Sequence, residues 1–269
     1  MSGGDWGAWI GRTEERREVL DTGSLRRYAA ALGEDLDVER TPPSLAHWAF
    51  FLPVAGASEI GPDGHPARGG FLPPVPLPRR MFAAAEMSFE GPLRLGAPAT
   101  LTARVADVKQ RSGRTGGLVF VEVDRTIAQD GAVRVRERQT IVYREAGDPQ
   151  PPVPETVPPD PGDEVWTPGP VELFRFSAVT FNSHRIHYDL PYATAEEGYP
   201  GLVVHGPLTA ARLYGLARRR AGAAPARFAF RAAAPLFAGQ PIRLTAGEEP
   251  GEVRAVRCDG TVAMVGRAS

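Results

Sequence analysis

The string PLRLGAPATLTA at residues 92–103 returns in outline as PLFAGQPIRLTA at residues 235–246. Pro92, Leu93, Gly96, Pro98 and Leu101-Thr102-Ala103 match Pro235, Leu236, Gly239, Pro241 and Leu244-Thr245-Ala246 at identical spacing. Each copy precedes strand-like segments joined by an Asp-Gly pair. A repeated string with the same downstream layout requires the same supersecondary unit to form twice. The expectation is two α+β units, each a curved antiparallel sheet.

The alternation supports this. Residues 97–109, 117–128 and 132–144 switch between apolar and polar with period two, the mark of strands with one buried face. Asp130-Gly131 separates the last two and predicts a type I′ hairpin. In the second half, residues 226–233, 240–247, 251–258 and 261–267 are strand candidates, with Asp259-Gly260 as the corresponding turn. Residues 172–180 also read as a strand.

Two helices are predicted. Residues 12–32 look helical, with Asp21, Thr22 and Ser24 as N-caps and Leu25, Tyr28, Ala29 and Leu32 on one face. Residues 204–220 place Leu208, Ala211, Leu213, Leu216 and Ala217 on an apolar face and end in Arg218-Arg219-Arg220, where cations suit the helix dipole. The run DGHPARGGFLPPVPLPRRM (63–81) has too many prolines and glycines for a helix or central strand. Its Phe71, Leu72, Val75 and Leu77 point to an ordered loop lying over an apolar surface. Residues 146–170, rich in proline and acid, read as an extended linker. That divides the chain into a degenerate N-terminal lobe at 1–145, whose looser helix leaves room for a pocket, and a C-terminal lobe at 171–269.

Composition removes several function classes. With 31 basic and 32 acidic residues the net charge is −1, which leaves no basic excess for nucleic-acid phosphates. A single cysteine, Cys258, allows neither an internal disulfide nor a cysteine metal cluster, and reads as a small packed residue. No apolar run reaches a membrane span, and residues 1–20 have no signal-peptide core. A soluble cytoplasmic protein without nucleic-acid or membrane partners is expected. No Gly-rich phosphate loop or G-x-S-x-G elbow is present.

Chemistry concentrates between Phe174 and Leu216, which holds His184, His187 and His205, three of the five histidines. The pattern N-x-x-x-x-H-x-D at Asn182, His187 and Asp189, followed by Val204-His205-Gly206, resembles the hydratase 2 motif of MaoC-like (R)-specific enoyl-CoA hydratases. The strings FSAVTFNSHRIHYD and EEGYPGLVVHGPL are similar to the hydroxyacyl-thioester dehydratase type 2 branch. DGHPARGGFLPPVPLPRRM, with VYR closing the first half, resembles the mesaconyl-C4-CoA and itaconyl-CoA hydratases of that branch. The resemblance covers most of residues 5–267. It implies a double hotdog, with antiparallel sheets wrapped on a central helix. It also implies reversible syn addition of water across an α,β-unsaturated acyl-CoA, with a branched C5 dicarboxylic acyl group as the closest fit and no cofactor or metal. One departure stands out. The broad MaoC pattern places an aspartate five residues before the catalytic histidine and an asparagine two residues after that aspartate. Here those positions hold Asn182 and His184.

Hydrating an enoyl thioester needs a group that takes a proton from water, one that delivers a proton to the α-carbon, and donors for the developing enolate oxygen. His187 is the candidate acid/base because histidine titrates near neutrality. Asn182 has no titratable proton, but its amide can hold water as donor and acceptor. Gly206 opens a helix whose free N–H groups suit an oxyanion, and glycine admits close approach. Asp189 either orients a histidine or caps the turn at 190–195; the cap is favoured. His184 and His205 read as hydrogen-bonded supports at the substrate. Arg79 and Arg80 are candidates for a substrate carboxylate, which arginine binds bidentately. Lys109, Arg111 and Arg114 are candidates for CoA phosphates. His184, His187, Asp189 and His205 have metal-ligand chemistry but no specific metal motif, so no metal is assigned.

Two other readings stay open. A 3-hydroxyacyl-ACP dehydratase would need a basic docking face for its carrier, and a non-catalytic acyl-CoA-binding hotdog protein would bind thioester without turnover. A monomer of paired lobes and a homodimer both satisfy the expected architecture.

Overall fold

In the computed structural model, which describes residues 6–113 and 116–269, both copies of the repeat lead into a strand after a glycine in the left-handed region. Gly96 has φ 73° and Gly239 φ 80°, a conformation that side chains with a Cβ rarely adopt. Leu101 and Leu244 occupy equivalent buried positions, each 1% exposed.

The first half contributes β1 (Thr13–Val19), β2 (Arg79–Phe89), β3 (Pro98–Gly113), β4 (Gly116–Gln129) and β5 (Ala132–Arg144). The second contributes β6 (Glu164–Trp166), β7 (Arg227–Ala232), β8 (Ile242–Ala246), β9 (Glu252–Val256) and β10 (Val262–Ala268). Among the described residues these form one antiparallel sheet in the order β1-β3-β4-β5-β2-β7-β10-β9-β8-β6. Outward from the β2–β7 junction the order is β2-β5-β4-β3-β1 on one side and β7-β10-β9-β8-β6 on the other. The two halves thus have the same topology, and β2 and β7 pair from Ala84↔Arg231 to Ser88↔Arg227. Asp130 and Gly131 both have positive φ (51° and 75°), the two-residue type I′ turn expected from the sequence.

Three local expectations are corrected. Residues 12–32 are not one helix: β1 comes first, and α1 (Thr22–Leu32) starts after the Asp21 cap, whose side chain accepts the Ser24 N–H. The strand was invisible to hydrophobic patterning because its inward residues are Glu14, Arg16 and Glu18. Their charges are used to hold a loop. Arg16 donates to the Phe51 and Leu52 carbonyls, and Glu18 accepts the Phe51 N–H. Residues 172–180 are helix, not strand: α2 (Pro170–Val179) has proline in its first turn and buries Leu173, Phe176 and Ser177, spaced for one helical face. Strand β2 was not predicted, because its Ala83-Ala84-Ala85-Glu86 run lacks alternation; it forms because β5 and β7 pair with its two edges, tertiary contacts overriding propensity.

The long helix α3 (Gly206–Ala221) forms where the apolar spacing predicts it. It buries Leu208, Leu213 and Leu216 against the second half of the sheet, and Gly222 in the left-handed region terminates it. Each of these leucines contributes roughly 1.5–3 kcal/mol of burial. The first half has no helix of that length in the matching place among the described residues. Instead the chain from 33 to 78 lies over the sheet. Arg68 pins this loop by donating to the Val75, Leu77 and Pro78 carbonyls, and Val75 is fully buried against Val105, Val121 and Tyr143. The proline-rich segment runs extended along the second half: Thr156 and Val157 donate to the Cys258 carbonyl, and Gln240 donates to Val153. Cys258 is buried there. No described helix is long and apolar enough to cross a membrane.

Candidate active site

The missing central helix of the first half leaves a cavity of 400 Å³ between the sheet and the 33–78 chain. Its floor carries Phe82 of β2, Arg125 of β4, and Gln139 and Ile141 of β5; its roof carries Trp48, Phe50 and Phe71. One end reaches Phe176, Thr180 and Asn182 of the second half and Pro207 in the first turn of α3. A β-bulge between Phe82 and Ala84 breaks the register with β5 at this point and brings the Phe82 carbonyl beside the start of α3.

Gly206 starts that helix. A Cβ there would meet the Phe82 oxygen at 3.4 Å. Thr209 N–H donates to the His205 carbonyl, while among the described residues the Gly206 N–H has no backbone acceptor. Pro207 contributes no N–H. Pro207 lines the cavity, so the first turn of the helix brings its positive dipole end to it.

Asn182 lines the cavity. Its Oδ1 accepts the His184 N–H at 3.0 Å, which fixes the amide and leaves its NH₂ as the free donor. His187 lies deeper, buried, with its ring stacked on His205 at 3.6 Å. Its Nδ1 donates to the Val203 carbonyl at 2.7 Å, so Nε2 is the atom left to exchange a proton. Burial, with His205 and His184 beside it, holds His187 well below the ordinary histidine value and therefore neutral. His205 is fully buried. Its Nε2 meets Ser177 Oγ at 2.8 Å, and burial lowers its pKa to about 3. Its ring packs edge-on against Phe176, a cavity residue.

His184 is buried. Its Nε2 lies 3.6 Å from Glu197 Oε1, and its ring packs between His187, 5.4 Å away, and His65, 4.0 Å away. His65 lies in the DGHPARGGFLPPVPLPRRM string, but that proline-rich loop has no periodicity to show which of its side chains meets the 182–205 strip. His65 Nδ1 lies 3.2 Å from Asp63 Oδ2, and His65 lines the cavity beside Asn182. Burial lowers His65 to about 3. Burial acts against the charge of Asp63 too, but the His65 hydrogen bond and Arg80 hold its carboxyl well below the usual range. Four of the five histidines thus form one continuous cluster of rings.

The loop reaches this cluster through a small hairpin closed by an Ile60–Pro66 bridge. Arg185 N–H donates to the Asp63 carbonyl at 3.0 Å, Arg185 Nη1 donates to Pro62 at 3.0 Å, and Ser183 Oγ donates to the Gly64 carbonyl.

The two candidate arginines separate. Arg80 lines the cavity, beside Tyr143 and Asp63 and with a long contact of 3.5 Å to the Pro66 carbonyl. Arg79 does not line it. It is 5% exposed, its Nε lies 3.5 Å from Glu197 Oε2, and its Nη2 donates to the Glu197 and Gly147 carbonyls, so its guanidinium is committed to the protein. Asp189 caps the turn that follows it by accepting the Tyr192 N–H, and its other oxygen takes Arg185; it touches neither candidate histidine. Lys109 pairs with Asp107 on the exposed strand, and Arg114 lies outside the described residues. The ligand set considered from sequence is not assembled around an ion. Asp63, His65 and His184 do have ligand atoms within 4.8 Å of one another and could hold one, although the Asp63–His65 hydrogen bond already uses two of them.

Comparison with known proteins matches this chain to hydroxyacyl-thioester dehydratase type 2 over residues 45–238. It is 49% identical to the mesaconyl-C(4)-CoA hydratase of Chloroflexus aurantiacus over 253 residues, covering 91% of this chain and 90% of that protein. Its fold is similar to that of HtdX from Mycobacterium tuberculosis, with a TM-score of 0.67 at 20% identity over 96% of this chain and 99% of that one. It is also similar to a second Mycobacterium tuberculosis protein described as a double hotdog fold, with a TM-score of 0.54 at 13% identity over 96% and 95% of the two chains. The double hotdog expected from the sequence is the fold observed.

Proposed function

This chain belongs to the hydroxyacyl-thioester dehydratase type 2 family, and from that premise we propose that it reversibly hydrates a branched C5 dicarboxylic enoyl-CoA such as mesaconyl-C4-CoA. One observation carries the reading: a single cavity meets the α3 N-terminus, the Asn182 amide and the Arg80 guanidinium together. In this acyl group the free carboxylate is attached to the carbon that receives water. Its binding group must therefore lie beside the water site, which is where Arg80 is found. The 49% identity to a mesaconyl-C(4)-CoA hydratase supports the same substrate class.

In the proposed mechanism the thioester oxygen lies at the Gly206 N–H, where the helix dipole favours enolate character. The Asn182 NH₂ positions water. His187 Nε2 takes the water proton as the oxygen bonds to the β-carbon. His205 and His184 support the His187 ring by stacking and edge contact. The internal β2–β7 pairing joins the two lobes within one chain and supports a monomer as the working unit. That is checked by sedimentation.

The test is loss of enoyl-thioester absorbance on mesaconyl-C4-CoA, itaconyl-CoA and crotonyl-CoA in parallel, with His187→Ala beside the wild type. The expected result is turnover of the dicarboxylic substrates, lost in the variant. Turnover of crotonyl-CoA alone would remove the carboxylate assignment, and no turnover of any would remove the hydratase reading.

A further inference from the structure

A hydratase of this kind moves two protons, one off water and one onto the α-carbon, and His187 accounts for the first. Asn182 stands where the broad pattern has an aspartate, so the familiar carboxylate–histidine combination is absent from the 182–187 strip. The structure restores such a combination from the other half of the chain. Asp63 Oδ2 lies 3.2 Å from His65 Nδ1, and His65 lines the reaction cavity with Asn182, Ser183 and Arg80. The pair is fixed rather than mobile: the Asp63 carbonyl accepts the Arg185 N–H, the Asp63 side chain also accepts the His65 N–H at 3.0 Å, and Ser183 holds Gly64 between them. Among the four clustered histidines, His187 and His205 have no carboxylate on the ring. Glu197 lies 3.6 Å from His184 but is already shared with the buried Arg79. His65 is the cavity-lining imidazole whose positive form has a carboxylate directly on Nδ1.

We infer that His65, oriented by Asp63, is the catalytic residue that carries the α-carbon proton. This rests on the hydratase reading above. In hydration, the water oxygen bonds to the β-carbon and its proton goes to His187 Nε2. The π electrons of the C=C bond shift to the α-carbon–thioester unit, placing negative charge on the oxygen at Gly206. The proton taken by His187 passes through the His184 ring, which is in contact with both histidines, to His65 Nε2; that Nε2–H bond then breaks, its proton bonds to the α-carbon and the thioester carbonyl re-forms. His187 and His65 both begin and end neutral. In dehydration each transfer reverses. Asp63, Arg80 and His184 are the charged or titratable groups that face His65.

The experiment compares wild type with His65→Ala and the near-isosteric His65→Gln on mesaconyl-C4-CoA, with melting curves for each. The expected result is a fall in kcat of about 10²–10⁴-fold with KM unchanged. Added imidazole should partly rescue His65→Ala but not His65→Gln, and α-hydrogen exchange in D₂O should fall with kcat. Both variants keeping wild-type kcat while His187→Ala loses it would overturn the inference and leave the hydratase reading intact. Loss of wild-type rate on EDTA treatment, restored by a divalent ion, would overturn it differently by assigning Asp63, His65 and His184 to that ion. A wild type inactive on every thioester is the separate failure of the hydratase reading.

Discussion

A Cβ placed on Gly64 would sit 1.8 Å from the Ser183 carbonyl oxygen. No side chain fits there, and φ at Gly64 is +88°, which L-residues other than glycine rarely adopt. This contact docks the loop of the first half onto the histidine-rich corner of the second. Gly64→Ala should cost about 1–3 kcal/mol through overpacking, with added backbone strain. Because the loop carries His65, kcat should fall as well. Calorimetry and a rate assay on the same preparation check both. Wild-type melting with wild-type rate would mean that the loop docks otherwise.

Arg79 and Arg80 should behave differently despite being neighbours. Arg79→Ala leaves the buried Glu197 carboxylate without its permanently charged partner and should destabilise the fold by about 3–5 kcal/mol. Arg80→Ala should leave melting nearly unchanged but lower kcat/KM on the dicarboxylic thioester by about 10- to 100-fold, the worth of a charged hydrogen bond. Relative rate on crotonyl-CoA should not fall. Urea titration and two-substrate kinetics separate the outcomes.

In the proposed mechanism the Asn182 amide positions water, so Asn182→Ala should lower kcat by about 10²-fold with little change in KM. Asn182→Asp keeps the acceptor for the His184 N–H and supplies a carboxylate at the same point. It should retain more activity than the alanine variant. Equal rates for wild type and Asn182→Ala would exclude this side chain from the water site.

Stability should depend on pH through the buried histidines. His65 and His205 are lowered to about 3 and His187 is lowered further than an ordinary shift, all by burial first. The unfolded chain therefore binds more protons than the folded one between about pH 6.5 and 3. Stability is fully present above the unfolded value near 6.5 and is lost as pH falls toward the folded values. Each histidine that stays neutral contributes a slope of about 1.4 kcal/mol per pH unit in that window. Urea unfolding at stepped pH checks the slope, and His205→Gln should reduce it. A flat profile from pH 7 to 5 would show that the cluster is charged in the folded state.

Sequence by itself determined the duplicated sheet, the Asp130-Gly131 hairpin, helix α3 and the strip from Asn182 to Gly206. These are local: period-two burial, turn chemistry and helical spacing act between near neighbours, and motif residues sit side by side on one stretch of backbone. Charged β1 was misread because its inward residues are Glu14, Arg16 and Glu18, so burial there is not written in hydrophobicity. Only the tertiary structure decided which arginine faces the cavity. Successive residues on a strand point to opposite sides, so Arg79 turns to Glu197 and Arg80 to the cavity. Only the tertiary structure joined Asp63 and His65 to His184, since Gly64 and Ser183, the residues that make the junction, are 119 positions apart. Their meeting depends on a loop that has no periodicity of its own and takes its shape from the carbonyls, the glycine and the arginine that pin it.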